Sequence, residues 1–367
     1  MMTTDLDRTT LNIGLIGYGY AGRTFHLPLI VATPGLSLTA VATRQGDAVK
    51  ARLPDVETLS DPQALMARDD IDLIIVATPN ATHAPLARAA LRAGKSIVVD
   101  KPFTLDLAEA RALTDLATRA DQVLSVFHNR RWDSDFLGVS RAIAQGLVGE
   151  VRHFESRFDR FRPQVRDRWR EQDGPGAGIW YDLGPHLVDQ ALVLFGLPKA
   201  VQADLAVQRA DAKVDDWAHV VLRYDDRRVV LHADMLAVGS SARFTVHGER
   251  GSLRKAGPDQ QEAQLLAGMA PGADDWGCDD DDLLYFDAEG RQTRVPVPAG
   301  DQRRFYAAVR DAVLGVGPNP VPPIQALAVM SVIAAAIESN RTGARCALAL
   351  SDAERAQFQR SRGAARP

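Results

Sequence analysis

Cysteine is nearly absent from this sequence. The two that occur, Cys278 and Cys346, supply no disulfide framework and no C-x-x-C metal or redox motif. A reducing, cytoplasmic setting is the expectation. Long apolar runs are missing too. No window approaches about 18 uninterrupted apolar residues, so no membrane-crossing segment is expected. The opening MMTTDLDRTT is polar and lacks the apolar core of a secretion signal. Excess charge is also lacking: 43 Lys and Arg stand against 47 Asp and Glu, a net of −4. That removes the electrostatic reason to expect a nucleic-acid or anionic-membrane partner. No internal repeat is visible.

The sequence does contain enough apolar material for substantial cores. Its 367 residues are 46% hydrophobic and 25% charged, which suits a globular chain of two domains. The most informative stretch is LNIGLIGYGYAG, residues 11–22. A short apolar run, residues 11–16, reads as a buried strand. It passes through Gly17, Tyr18, Gly19, Tyr20, Ala21 and Gly22, a G-x-G-x-x-G turn, into a helix pattern. In a dinucleotide site Gly17 permits the tight turn, Gly19 lets a pyrophosphate approach the backbone, and Gly22 lets the helix pack on its strand. The helix N-terminus would add its N–H groups and dipole.

Strand-like runs follow at 36–42, 71–77, 96–100 and 123–127, with helical patterns at 24–32, 61–68, 82–93 and 106–119. This alternation predicts right-handed βαβ units and a doubly wound parallel sheet over residues 1–128. A helix at 133–146 comes next. Alternating segments then appear at 151–159, 201–209, 217–224, 227–236 and 243–254, with helices at 182–195, 301–314 and 323–340. They predict an α+β domain, residues 129–345, with a large, mostly antiparallel open sheet. Such a sheet suits pairing with another copy, so a homodimer or homotetramer is expected. Residues 346–367 read as a tail, with SRGAARP disordered.

Several residues fall where ligands bind in such sheets, at the carboxyl ends of the strands. Thr43 and Arg44 end the second strand, where an acidic residue would take the ribose 2′-hydroxyl of NAD. A hydroxyl and a guanidinium suit a 2′-phosphate instead, so NADP(H) is expected. Asp47 nearby keeps NAD open. Thr78, Pro79 and Asn80 follow the third long strand. Asp100 and Lys101 follow the next, and Lys101 there can hold a substrate hydroxyl and relay its proton. In GAGIWYDLGPHLVD, Pro185 suits a helix's first turn. Asp182 and His186 stand four apart, on one face of that helix start. His186 reads as the general base, oriented by Asp182. Asp189 reads as structural. The stretch 154–170 interleaves arginines with aromatics, among them Phe161 and Trp169. It reads as lining for a polyol pocket or cofactor phosphates rather than for nucleic acid. The acidic run 274–282 lacks an EF-hand spacing and reads as a solvated loop.

With these residues in place, the chain resembles the glucose–fructose oxidoreductase/inositol dehydrogenase/rhizopine-catabolism (Gfo/Idh/MocA) family over nearly its whole length. The marks are GYGYAG with His26 beyond it, ATPN followed by His83, DKP at 100–102 and DLGPHLVD at 182–189. VVDKPF, FHNRRWDSDF and RFRPQVRDRWREQ look closest to its NADP-dependent scyllo-inositol dehydrogenase-like branch. The family's lysine-proline motif normally begins with Glu; here it is Asp100. The resemblance implies that Lys101, Asp182 and His186 are catalytic, that His83 belongs to the cofactor side, and that Asn129 lies near the nicotinamide. Tyr181 is expected beside the substrate.

Together these readings predict an NADP(H)-dependent oxidoreductase. It would move a hydride between nicotinamide and a secondary carbinol or ketone carbon of a sugar or inositol-like polyol. A glycosidase using transient oxidation by a retained cofactor is an alternative, separated by whether cofactor is consumed. A non-catalytic cofactor sensor is another, and such a protein has no need of the lysine and the Asp/His pair.

Overall fold

Strands that are apolar at every position need cover on both faces. The computed structural model, which describes residues 10–239 and 241–362, provides it with a parallel sheet between helices. Its strands are β1 (Leu11–Ile16), β2 (Leu36–Ala42), β3 (Glu57–Leu59), β4 (Leu73–Val76), β5 (Ser96–Val99) and β6 (Leu124–Val126). They lie in the order β3-β2-β1-β4-β5-β6, all parallel. Strand order reverses between β1 and β4, and a crevice opens there at their carboxyl ends. β4 and β5 are buried at every position. The helix Leu107–Ala120 begins where Asp106 accepts a hydrogen bond from the Glu109 N–H at 2.8 Å. β3 and the helix Gly46–Arg52 were not foreseen, because a three-residue strand shows no period.

The second sheet has β7 (Val151–Asp159), β8 (Ala200–Ala206), β9 (Trp217–Arg223), β10 (Arg228–Asp234), β11 (Phe244–Gly248), β12 (Gly251–Lys255), β13 (Leu283–Asp287) and β14 (Gln292–Val295). The order is β14-β13-β12-β11-β7-β10-β9-β8, and only β7 and β10 run parallel. The stretch 243–254, expected as one segment, is the hairpin β11–β12. β14 escaped notice because it is a polar, largely exposed edge.

One face of this sheet is apolar, through residues such as Phe154, Val220, Leu231 and Phe244. The helices Ile179–Phe195 and Pro323–Thr342 pack on it. By length and composition Pro323–Thr342 is apolar enough to cross a membrane, but 72% of its most apolar window is buried inside the protein. It also packs on Leu107–Ala120 and so ties the two sheets together.

The last residues are more ordered than expected. Cys346 exchanges backbone hydrogen bonds with Val201. Asp352–Ser361 is a helix with a Ser351/Glu354 capping box, docked by a Glu354–Arg111 ion pair of 2.6 Å. Arg362 donates to the carbonyls of Val193 and Leu194. The rest of SRGAARP, like residues 1–9, lies outside the described residues. The acidic run 274–282 is not simply solvated either. Trp276 is buried within it, and the Asp279 carboxylate meets buried Lys255 at 3.2 Å.

Candidate active site

β1 ends at Ile16 and the chain turns sharply. Gly17 sits at φ +102°, and a Cβ there would lie 2.3 Å from the Ala77 carbonyl oxygen. A Cβ on Gly22 would meet the Gly17 oxygen at the same distance. At Gly19 nothing lies within 4 Å of a Cβ position. Two glycines are therefore needed by the protein's own packing, and Gly19 keeps open space in front of the turn. The helix that follows passes through a wide π-turn, Gly22–His26, before Leu27–Val31.

That open space belongs to a cavity of about 1040 Å³ running between the two sheets. Gly17, Tyr18, Gly19, Tyr20 and Ala21 form one end, with Thr43 and Arg44 beside them. Thr78, Pro79, Asp100 and Lys101 line it from β4 and β5, and Asn129 from the turn after β6. Trp169, Asp182 and His186 close it from the second unit. The Arg44 guanidinium has no hydrogen-bond or ion-pair partner among the described residues, and Asp47 does not face the cavity.

Five expected site residues do not line it, Gly22 among them, packed instead against the Gly17 carbonyl. Asn80 is buried and donates to the Gly176 carbonyl at 3.0 Å, holding the approach to the 179–195 helix. His83, fully buried, bridges two loops, its ring nitrogens 2.8 Å from the Pro102 oxygen and 2.9 Å from the Thr78 oxygen. Phe161 points away and is 58% exposed. The Tyr181 hydroxyl donates to the Leu105 carbonyl at 3.3 Å. Asn80 and His83 therefore brace the loops that follow β4 and β5 without facing the cavity, and Phe161 and Tyr181 do not line it.

The helix carrying Asp182 and His186 starts at Ile179, not 182, so Pro185 is interior. Asp215 receives its first N–H groups: the Asp215 carbonyl takes Ile179 at 2.8 Å and the carboxylate takes Trp180 at 2.7 Å. The interior proline leaves this turn one backbone donor short. In the same turn the Asp182 carbonyl accepts from Lys101 Nζ at 2.7 Å. The ammonium also meets the Asp182 carboxylate at 3.1 Å, and Arg170 Nε approaches it at 3.4 Å. Burial pushes the Asp182 carboxyl up, but the charges of Lys101, Arg170 and Arg160 outweigh it and hold it far below the usual range.

The carboxylate expected to orient His186 is thus engaged by Lys101 instead. His186 is only 6% exposed and its buried Nδ1 has no partner. Burial pulls its pKa well below the usual imidazole value, and Lys101, Arg130, His128 and Arg243 pull it further. These surroundings favour the neutral imidazole of His186, and Asp182 steadies the Lys101 ammonium.

Behind Lys101, Asp100 is buried and accepts the Lys101 backbone N–H at 2.8 Å. Burial raises the Asp100 carboxyl, yet the His26 contact and the charges of His26 and Lys101 bring it to about 2. His26 in turn shares a 2.5 Å hydrogen bond with Tyr306. Asn129 donates to Gln302 at 2.9 Å. Asp189, expected to be structural, makes a buried two-point ion pair with Arg131, at 2.9 and 2.6 Å.

Arg130 and Glu262 are among the cavity residues that had escaped the sequence reading. Arg130 donates to Asp133 at 3.1 Å and to Glu262 at 2.8 Å. Glu262 also accepts from the Tyr20 hydroxyl at 3.1 Å, and burial and this carboxylate push that phenol up to about 12. Arg130 adjoins Asn129 and was findable. Glu262 lies on the six-residue helix Gln261–Leu266 with no motif around it.

A family model described as "Oxidoreductase family, NAD-binding Rossmann fold" matches residues 11–128, and its "C-terminal alpha/beta domain" matches 140–348. The chain belongs to the Gfo/Idh/MocA oxidoreductase family. Among its relatives, the Escherichia coli oxidoreductase YdgJ, described as uncharacterized, is 53% identical over 92% of this chain and 99% of its own. The Bacillus subtilis enzyme named scyllo-inositol 2-dehydrogenase (NADP(+)) IolW is 33% identical over 90% of this chain and 94% of its own. A candidate oxidoreductase solved from Klebsiella pneumoniae superposes with a TM-score of 0.92 at 54% identity, covering 96% of this chain and 99% of that one. Membership in this family makes the chain an oxidoreductase with a nucleotide-binding Rossmann unit. The glycine turn and the open space before Gly19 fit a dinucleotide.

Proposed function

We propose that this oxidoreductase uses NADP(H) to interconvert a secondary carbinol and a ketone on a sugar or cyclic polyol. The observation that carries it is the meeting, in the glycine turn's own cavity, of an anchored lysine and a neutral histidine. The NADP-dependent relative IolW supports the cofactor and the substrate class.

The glycine turn would hold the pyrophosphate and Arg44 the 2′-phosphate. The bound cofactor supplies hydride acceptance and donation at its nicotinamide. Lys101, fixed by Asp182, donates a hydrogen bond to the substrate oxygen and offsets negative charge developing there. His186, neutral and close by, takes the hydroxyl proton in the oxidative direction. Its imidazolium would stand near Lys101 and Arg130, so the proton is released to solvent water rather than kept.

The cofactor reading is tested by Arg44→Ser. It should cut kcat/KM with NADP about 10- to 100-fold, the worth of a charged hydrogen-bonded contact, and leave the NAD value unchanged. Equal kcat/KM with both cofactors in the wild type would defeat it.

The histidine's role has its own signature. His186 must be deprotonated to accept a proton, and burial with the surrounding cations keeps it so to unusually low pH. Oxidation rates should therefore stay level as pH falls through 6.5 and decline only well below it. A kcat/KM profile already half-lost at 6.5 would contradict this environment for the base.

A further inference from the structure

Beyond the end of β7 the chain continues extended, pinned by its backbone. The Arg160 N–H donates to the Asp234 carbonyl at 2.8 Å and the Arg162 N–H to the Met235 carbonyl at 2.7 Å. Alternate residues of an extended segment face opposite ways. Arg160 and Arg162 face the cavity, and Phe161 between them is turned out. Arg166, a few residues on, lines the same wall.

The partners of these arginines separate them from their neighbours. Arg157 meets Glu155 at 2.7 Å, Arg168 meets Glu171 at 2.6 Å, and Arg170 meets Asp182 at 3.4 Å. The guanidinium groups of Arg160, Arg162 and Arg166 have no hydrogen-bond or ion-pair partner among the described residues. The nearby acids are engaged elsewhere: Asp182 by Lys101 and Arg170, Glu262 by Arg130 and Tyr20, and Glu171 by Arg168 and Arg209. Burial, then the charges of Arg160, Arg166 and Arg168, lowers Arg162 to about 10. Three like charges converge on one cavity wall with no carboxylate in ion-pair contact, Asp182 and Glu262 offsetting Arg160 only from a distance, an arrangement that disfavours the charged state unless an anion completes it.

We infer that Arg160, Arg162 and Arg166 form an anion-binding subsite, so that the sugar or polyol taken by this cleft carries a carboxylate or a phosphate. The inference rests on the proposed function for the identity of the cleft and adds to it the charge of the substrate. A neutral inositol would leave the three cations unmatched. Planar guanidinium forks suit both anions, bidentately. The subsite lies in the second unit beside Asp182, whose carboxylate feels the Arg160 charge. The Arg160 charge also reaches Tyr20 on the glycine turn, so service to the cofactor phosphates is the rival the test must separate.

The test uses the full chain saturated with NADPH, titrated calorimetrically with inorganic phosphate, D-glucuronate and D-glucose. Phosphate or glucuronate should bind the saturated protein, and D-glucose should not at the same concentrations. Whichever anion binds tighter names the group. Arg162→Gln with Arg166→Gln should weaken that binding at least about tenfold while NADPH affinity holds. Arg162→Lys with Arg166→Lys, which keeps the charge, should restore much of it and controls for folding. Failure of both anions to bind, an unchanged Kd in the Gln variant, or a loss confined to NADPH would each overturn the subsite. If the anions bind but no carbinol or ketone of either charge is turned over with NADP(H) or NAD(H), the proposed function fails and the subsite stands. Turnover of neutral polyols with kcat/KM equal to their acidic counterparts would refute the subsite alone.

Discussion

Lys101→Ala will lower kcat by about 10²- to 10⁴-fold, the range for a positioned proton-transfer or charge-stabilising group, and leave NADPH affinity within about twofold. The structure fixes Lys101 at both ends of its reach. Its backbone N–H is held by Asp100, and its Nζ by the carboxylate and the carbonyl of Asp182. Removing it does not strand the Asp182 carboxylate, because Arg170 stands 3.4 Å away. The fold should therefore survive, and the loss should fall on the chemical step. His186→Asn should give a loss of similar size, and the double variant little more than either alone, since groups acting on one proton are not additive. Single-turnover rates beside fluorescence titration of NADPH separate the two effects. A Lys101→Ala enzyme with near wild-type kcat would remove the lysine from the mechanism.

A second pair of substitutions divides the glycine turn into its two jobs. Gly17→Ala places a methyl group 2.3 Å from a backbone carbonyl, in a conformation with φ +102°. The cost is at least about 1–3 kcal/mol for the backbone alone, and the melting temperature should drop by several degrees. In Gly19→Val the added Cβ meets nothing within 4 Å. The variant's melting temperature should stay within about a degree or two, while NADPH binding weakens more than about tenfold because the side chain fills the space before the turn. Calorimetry of both variants, with and without NADPH, checks this. Tight NADPH binding by Gly19→Val would place the pyrophosphate elsewhere.

The sequence showed the parallel sheet because its strands are buried on both faces and read as unbroken apolar runs. It showed Gly17, Lys101 and His186 because each sits at a strand end or a helix start, where chain direction decides what faces the crevice. It could not show which way a side chain turns once there. Asn80 and His83 occupy the right loops, yet both are consumed in holding backbone carbonyls. Phe161 lies between two cavity residues and points outward, a matter of strand parity at a bend. The Asp182–His186 spacing is real, but the nearest cation to that carboxylate comes from residue 101, across the cleft. Glu262 reaches the glycine turn from 242 residues away, and no local pattern carries such information.

β6 stands at the edge of the parallel sheet, and its flank is closed by a segment far along the chain. The Asn319 side chain donates to the Leu124 carbonyl across 195 residues, and the Ser125 hydroxyl to the Val321 carbonyl across 196. Synthesis proceeds at about 5–20 residues per second, so the covering segment arrives roughly 10–40 s after the strand it covers. During that interval a growing chain carries an open strand edge, the kind of surface that recruits other chains. A chain cut short before residue 319 should therefore leave the β6 edge open and self-associate, which light scattering of that fragment would check.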